Sequence, residues 1–305
     1  MPMVASGGEG VLRQRAYGSM AAEEGDQWGR LLRSLLWQRL HLDDWVTSEP
    51  VPLDIEEEDV QVEDGVERRV LSFASTAARR VTAVLAMPVA TQQAVPAVVS
   101  IHGHGGNRLS VYDPDSIYKG FAAELPRRGI ATIAVDVGQH EVFEAGRSLM
   151  GERLWDLRRC VDLLVGYPRV DSTRIGCAGL SLGGEMAMWL GAMDERVAVQ
   201  VSAGFLTTMD QMEKNHCMCW KFEGLRELVD YADLYAMMAP RPLMCQNGLE
   251  EGETQFWVPL ARQALEEIEP AYQDAGTADR LCLHVHLGGH EVDLPALVDF
   301  FRRWL

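Results

Sequence analysis

Val170-Asp-Ser-Thr-Arg-Ile-Gly-Cys-Ala-Gly-Leu-Ser-Leu-Gly-Gly184, continued by Glu185-Met-Ala-Met-Trp-Leu190, decides how the rest of the chain is read. Arg174–Ala178 is a short apolar run of strand character, and the residues from Glu185 onward read as a helix. Between them Gly179-Leu-Ser-Leu-Gly183 is a G-x-S-x-G pattern in a strand–turn–helix setting. Glycines on either side let the backbone turn sharply, which lifts the Ser181 hydroxyl clear of the sheet. The helix presents its N-terminus to the same place, where the aligned peptide dipoles favour developing negative charge. This setting makes Ser181 a candidate nucleophile.

Outward from this stretch, short continuous apolar runs alternate with helical windows. The runs are 97–101, 131–135, 174–178, 198–202, 242–246 and 281–285; the helix candidates are 117–128, 151–166, 184–193, 258–270 and 293–305. Continuous rather than alternating apolarity is what parallel strands covered on both faces require. Upstream, 69–73 and 81–87 read as two antiparallel strands beyond the acidic run Asp54 to Asp59. The leucines between Trp28 and Trp45 recur at helical spacing and predict one amphipathic helix. Residues 1–26 read as a loose lead-in. The expected architecture is therefore α/β: a mostly parallel central sheet with helices on both faces, in a single domain over 27–305. The long irregular piece 204–240 is its possible pocket-wall insertion, with Met209, Met212, Met218, Trp220 and Phe222 either closing an apolar site or packing as core.

A serine hydroxyl needs a base to take its proton, and the base needs an acceptor to hold one tautomer. Gly288-Gly-His-Glu291 follows the last apolar run, and its flexible glycines suit a loop that reaches back over the nucleophile, so His290 is the candidate base. His284 and His286 alternate within the strand itself and suit structural roles. The acid should lie between serine and base at another strand end. Asn247-Gly-Leu-Glu-Glu-Gly-Glu253 offers Glu250, Glu251 and Glu253, with Asp210 and Asp136 as further candidates. An oxyanion site needs two converging backbone amides. Leu182, directly after the serine, supplies one, and His104 in His102-Gly-His-Gly-Gly106 the other, with His102 as a hydrogen-bonder beneath that loop.

Two segments invite a metal. The pair His102 and His104 lacks a third ligand of matching spacing. His216-Cys-Met-Cys219 holds three donors, and in an extended chain its thiols point to opposite sides. The reading expects no metal and no cofactor. With 28 Lys+Arg against 45 Asp+Glu the net charge is −17, and no basic cluster exists to displace counterions, so nucleic acid and anionic membranes are not expected partners. The opening residues show no basic segment before an apolar run, no stretch approaches about 18 apolar residues, and six scattered cysteines suit reduced thiols. A cytoplasmic protein, possibly a homo-oligomer, is the expectation.

On His102-Gly-His-Gly-Gly, the Val170–Gly184 stretch, Ala239-Pro-Arg-Pro-Leu243 and Gly288-Gly-His-Glu291, the chain resembles the α/β-hydrolase superfamily over roughly residues 80–305. Within it, the resemblance is to dienelactone hydrolase and acetyl xylan esterase-like esterases. The resemblance implies the α/β-hydrolase fold, a Ser181 nucleophile, a His290 base, and oxyanion amides at His104 and Leu182. The family's acid is usually an aspartate a few residues past an Asn-Gly; here that position holds Glu251, and a slightly different loop would bring Glu253 instead. It implies a serine esterase acting on small neutral or acetylated ester substrates. The acidic chain should favour neutral over anionic esters. Other readings of the same core are a prolyl oligopeptidase-like peptidase, whose usual extra propeller domain 305 residues cannot contain, and a non-catalytic binding protein on this scaffold.

Overall fold

The computed structural model describes residues 13–17, 25–89, 91 and 93–305. Its strands are β1 Glu56–Glu63, β2 Val66–Ala74, β3 Arg80–Pro88, β4 Val95–Ile101, β5 Ala131–Val135, β6 Val170–Leu180, β7 Val197–Ala203, β8 Leu243–Gly248 and β9 Leu281–His286. The helices are α1 Gly25–Arg39, α2 Asp43–Thr47, α3 Phe121–Arg127, α4 Leu149–Gly166, α5 Leu182–Met193, α6 Met209–Asn215, α7 Leu225–Leu228, α8 Tyr231–Ala236, α9 Val258–Asp274 and α10 Leu294–Trp304.

Among the described residues one nine-stranded sheet runs β1-β2-β3-β5-β4-β6-β7-β8-β9. The pairs β1–β2, β2–β3 and β3–β5 are antiparallel, and every pair from β5 to β9 is parallel. Neighbouring residues of one strand feed opposite cores: Ala97, Val99 and Ile101 face a cluster with α1, α4, α5, α8 and α9, while Val98 faces another with α3 and α10. Both faces are therefore dry, which explains why these strands read as unbroken apolar runs.

Helix α5 is buried at every position, and apart from Glu185 its residues are apolar or glycine all round. Helix α4 begins at Ser148, whose hydroxyl accepts the Gly151 amide and satisfies one of the orphan donors of the first turn. Helix α10 begins at Asp293, which caps Ala296.

Three expectations change. The single helix over Trp28 to Trp45 is two, because His41 turns left-handed (φ 59°), which lets both Leu40 and Leu42 be buried. The acidic run is an edge strand, β1, held by cross-strand pairs such as Glu57 with Arg69 at 2.5 Å. Such a charged rim discourages pairing with another chain. Of the lead-in, residues 1–12 and 18–24 lie outside the described residues, and 13–17 are fastened. Arg13 bonds Asp233 at 2.6 and 2.9 Å and pairs with Glu267, while the Trp28 indole donates to the Arg15 carbonyl.

The 204–240 connection is folded into α6, α7 and α8. Met209, Met212 and Trp220 are buried and Phe222 packs beside Trp189, so core packing prevails over a pocket wall for these four. Met218 is exposed. No described helix is long and apolar enough to cross a membrane.

Candidate active site

The parallel strands direct their carboxyl ends, with the loops that follow them, to one edge of the sheet. Ser181 sits between β6 and α5 with φ 62° and ψ −124°, a backbone conformation that L-residues rarely adopt. The flanking glycines explain how the chain tolerates it. A Cβ on Gly179 would lie 2.2 Å from the Gly183 carbonyl oxygen, and one on Gly183 would lie 2.2 Å from that of Ile101. The Ser181 amide donates to the Ala203 carbonyl at 2.9 Å, tying the elbow to the end of β7.

The loop after β4 lies against this elbow. A Cβ on Gly103 would meet the Leu180 carbonyl at 2.8 Å and Ser181 Cβ at 3.1 Å, and the next residue is His104. Beneath it His102 is buried; its Nε2 accepts the Val137 amide at 3.0 Å and its Nδ1 donates to the Gly103 carbonyl at 2.8 Å. Burial holds this imidazole below its ordinary pKa, so it stays neutral in one tautomer. The Gly103 amide is spent on Tyr118 Oη at 2.6 Å. Among the described residues, neither the His104 nor the Leu182 amide donates to a turn or loop carbonyl.

The loops after β8 and β9 are laced together. Leu249 donates to the His286 carbonyl at 2.9 Å, and Glu250 to the Gly288 carbonyl at 3.1 Å. Any side chain on Gly248 would strike the Gly288 and Gly289 carbonyls, so the approach requires glycine there. This lacing sets Glu251, 2% exposed, against His290: Oε2 receives the ring's Nδ1 at 2.9 Å while Oε1 accepts the Gly248 amide at 3.1 Å. Phe256 stacks on the imidazole, with centroids 5.2 Å apart and planes 14° off parallel. With Nδ1 committed to a carboxylate, Nε2 is the nitrogen left to accept a proton.

Ser181 and His290 both rest against the Ala203-Gly204 corner. The serine amide bonds Ala203, and a Cβ on Gly204 would lie 2.8 Å from His290 Cε1. The two side chains are not hydrogen-bonded to each other. Nucleophile–base bonds are often long before substrate arrives and tighten in the reactive complex.

The other carboxylates lie elsewhere. Glu253 is exposed, Asp210 pairs with Arg226, and Asp136 pairs with Arg108 at 2.5 Å. His284 bonds the cap residue Asp293 at 3.0 Å, and His286 accepts the Gly288 amide at 3.3 Å.

Behind the elbow, Glu185 on α5 is 2% exposed, with one carboxylate oxygen unpartnered. Burial pushes it up to about 8 against the pull of Arg153, so it is largely neutral at pH 7. Neither Phe256 nor Glu185 carried a sequence signal of its own: an isolated aromatic and an acidic residue in the first turn of a helix are both commonplace.

The two segments read as too poor in ligands meet in space. His104, His140, Cys217 and Cys219 bring one donor atom each within 4.8 Å of the others. The turn over Met218–Trp220 is a 3-10 helix and not an extended chain, which puts both thiols on one side. His140 comes from the loop after β5, far away in sequence; its position just beyond a parallel strand's carboxyl end was the only signal it carried. A cavity of about 700 Å³ beside Trp28, Arg33, Met237 and Asp274 shares no lining residue with any of these groups.

No family model matches the chain. It is 24% identical over 246 residues, 72% of this chain and 81% of the relative, to "Putative hydrolase YtaP" of Bacillus subtilis (strain 168). Its structure is similar to that of a "putative acetyl xylan esterase" from Bacteroides fragilis, with TM-score 0.79 and 18% identity over 97% of this chain and 92% of that one. It is also similar to a glucuronoyl esterase from Solibacter usitatus, with TM-score 0.73 and 16% identity over 98% of each chain. The chain has the α/β-hydrolase fold.

Proposed function

We propose that this chain is a serine carboxylic ester hydrolase that works through an acyl-enzyme. The observation that carries the reading is the positive-φ Ser181, held at a strand–helix elbow beside a His290 whose Nδ1 is bound to the buried Glu251. A hydroxyl displayed on a strained turn next to an oriented imidazole suits attack on an acyl carbon.

In the first half-reaction Ser181 Oγ bonds to the carbonyl carbon as His290 Nε2 takes its proton. The proton then passes to the departing alcohol as the ester C–O bond breaks. In the second half water attacks the acyl-enzyme, His290 takes the water's proton, and it returns that proton to Ser181. Glu251 stabilises the imidazolium formed in each half. The amides of Leu182 and His104 receive the negative charge on the substrate oxygen, reinforced by the N-terminus of α5. No cofactor enters this sequence.

Small neutral or acetylated esters are the proposed substrates. The esterase names borne by the similar structures support that choice. Six unpaired cysteines support a reducing, cytoplasmic setting. The test is a panel of aryl esters and acetylated sugars of graded acyl length, assayed with pure wild type and Ser181→Ala. Hydrolysis confined to the wild type and falling with acyl length supports the reading. Equal hydrolysis by Ser181→Ala overturns it, and amide cleavage faster than ester cleavage would move the enzyme to the peptidases.

A further inference from the structure

The donor side chains of His104, His140, Cys217 and Cys219 have no part in the ester chemistry, which uses only the backbone amide of His104, yet three separate loops deliver them to one point. His104 Nε2 stands 3.2 Å from Cys219 Sγ, and His140 Nε2 stands 3.4 Å from Cys217 Sγ. With metal–sulfur bonds near 2.3 Å and metal–nitrogen bonds near 2.0 Å, the N···S edge of a tetrahedral site is about 3.5 Å. The observed pairs already have that spacing, and the remaining separations, none above 4.8 Å, need only small side-chain rotations to close.

The surroundings match a metal centre rather than four idle side chains. Arg153, fully buried, donates to Cys219 Sγ at 3.4 Å and also to the Gln139 carbonyl, next to His140, so one guanidinium braces two of the three loops. Groups that hold and polarise ligands in this way are a regular part of metal sites.

We propose that His104, His140, Cys217 and Cys219 bind one zinc(II) ion. Two imidazoles and two thiolates are the donor set of tetrahedral zinc. Binding to the two thiols releases two protons, leaving a centre of net charge zero. Four protein ligands leave no open position, so the ion is a clasp and does not activate water. The strand order gives the clasp its meaning: the loops after β4 and β5 lie on one side of the Ser181 elbow, and the chain after β7 lies on the other. Zinc bridges them across the nucleophile and fixes the loop that carries His104.

The test uses the full-length chain, reduced and stripped with a chelator, then titrated with zinc chloride against a chromogenic competitor. The expected result is one zinc per chain. Cys219→Ser and His140→Ala should each weaken binding by at least about 100-fold, while Cys282→Ser, a thiol outside the cluster, should bind as wild type does. Cobalt(II) should give intense tetrahedral visible bands and a thiolate charge-transfer band that the double variant Cys217→Ser/Cys219→Ser loses. Circular dichroism of each variant separates ligand loss from misfolding. Substoichiometric zinc in the wild type, binding unchanged in the double variant, or a pale octahedral cobalt spectrum would each overturn the proposal. All of these readouts are independent of ester hydrolysis.

Discussion

Two loop clusters stand at the same end of the sheet and are built by different means. Glu251 and His290 come from adjacent strands, β8 and β9, whose loops are laced by backbone hydrogen bonds and whose carboxylate is buried. His104, His140 and the Cys217–Cys219 turn come from the loops after β4 and β5 and the chain after β7, with β6 intervening, and they meet through side chains, three of which are exposed. Backbone lacing fixes a geometry at no cost in side-chain freedom, whereas a side-chain cluster must overcome the entropy of ordering each member. The first cluster is therefore set by the fold itself, whereas in the second the proposed zinc would supply the ordering.

The largest expected effects fall on the laced side. Ser181→Ala should lower kcat/KM for a good ester by at least about 10⁴-fold, because the nucleophile has no substitute. Glu251→Gln keeps the shape but removes the charge that stabilises the imidazolium, and should cost on the order of 10²–10⁴-fold in kcat. Glu253→Gln and Asp210→Asn should stay near wild type. Matched losses from Glu251→Gln and Glu253→Gln would mean that the lacing does not select one carboxylate.

The contrast between the clusters is sharpened by hydrogen exchange. Zinc should slow amide exchange around His104 and Cys217–Trp220 by about tenfold or more, and leave the strand-end amides at Gly248–Glu251 unchanged. Equal slowing in both places would show that the two clusters move as one unit.

Glu185 gives a smaller effect, read as stability. Burial raises its pKa from the ordinary 4.5 to about 8, so folding favours the protonated acid. The stability tied to that proton is fully present below about 4.5 and is lost as pH rises through about 8. Wild-type Tm should therefore decline across this range, and Glu185→Gln should decline less; parallel profiles would show that the carboxyl is not held protonated. The smallest effect concerns charge. At −17, the enzyme should turn over a neutral ester a few-fold better than its anionic match at low salt, with the gap closing as salt screens it. Equal turnover at low salt would mean that the charge lies on faces remote from Ser181.

Legibility in the sequence followed the same division. Each of the six parallel strands announces itself by an unbroken apolar run, and Ser181 and His290 each sit in a glycine-rich stretch that is its own signal. From the residues alone Glu251 was one of several carboxylates, and only the family resemblance, counted from Asn247-Gly248, favoured it, with Glu253 left open, because the lacing of two loops is a tertiary fact. The break at His41 and the edge strand β1 were hidden, the first by continuous leucine spacing and the second by a run of acids. The four-donor cluster was the least legible part: no single stretch holds enough ligands, and only the strand order brings His140 to the Cys-x-Cys turn.

The most direct measurement is the intact mass of the protein after brief treatment with a fluorophosphonate, followed by peptide mapping. The expected outcome is one adduct per chain, located on Ser181, absent from Ser181→Ala and much slower to form in His290→Ala. An unlabelled wild type, or an adduct that persists in Ser181→Ala, would contradict the assignment of Ser181 as the nucleophile.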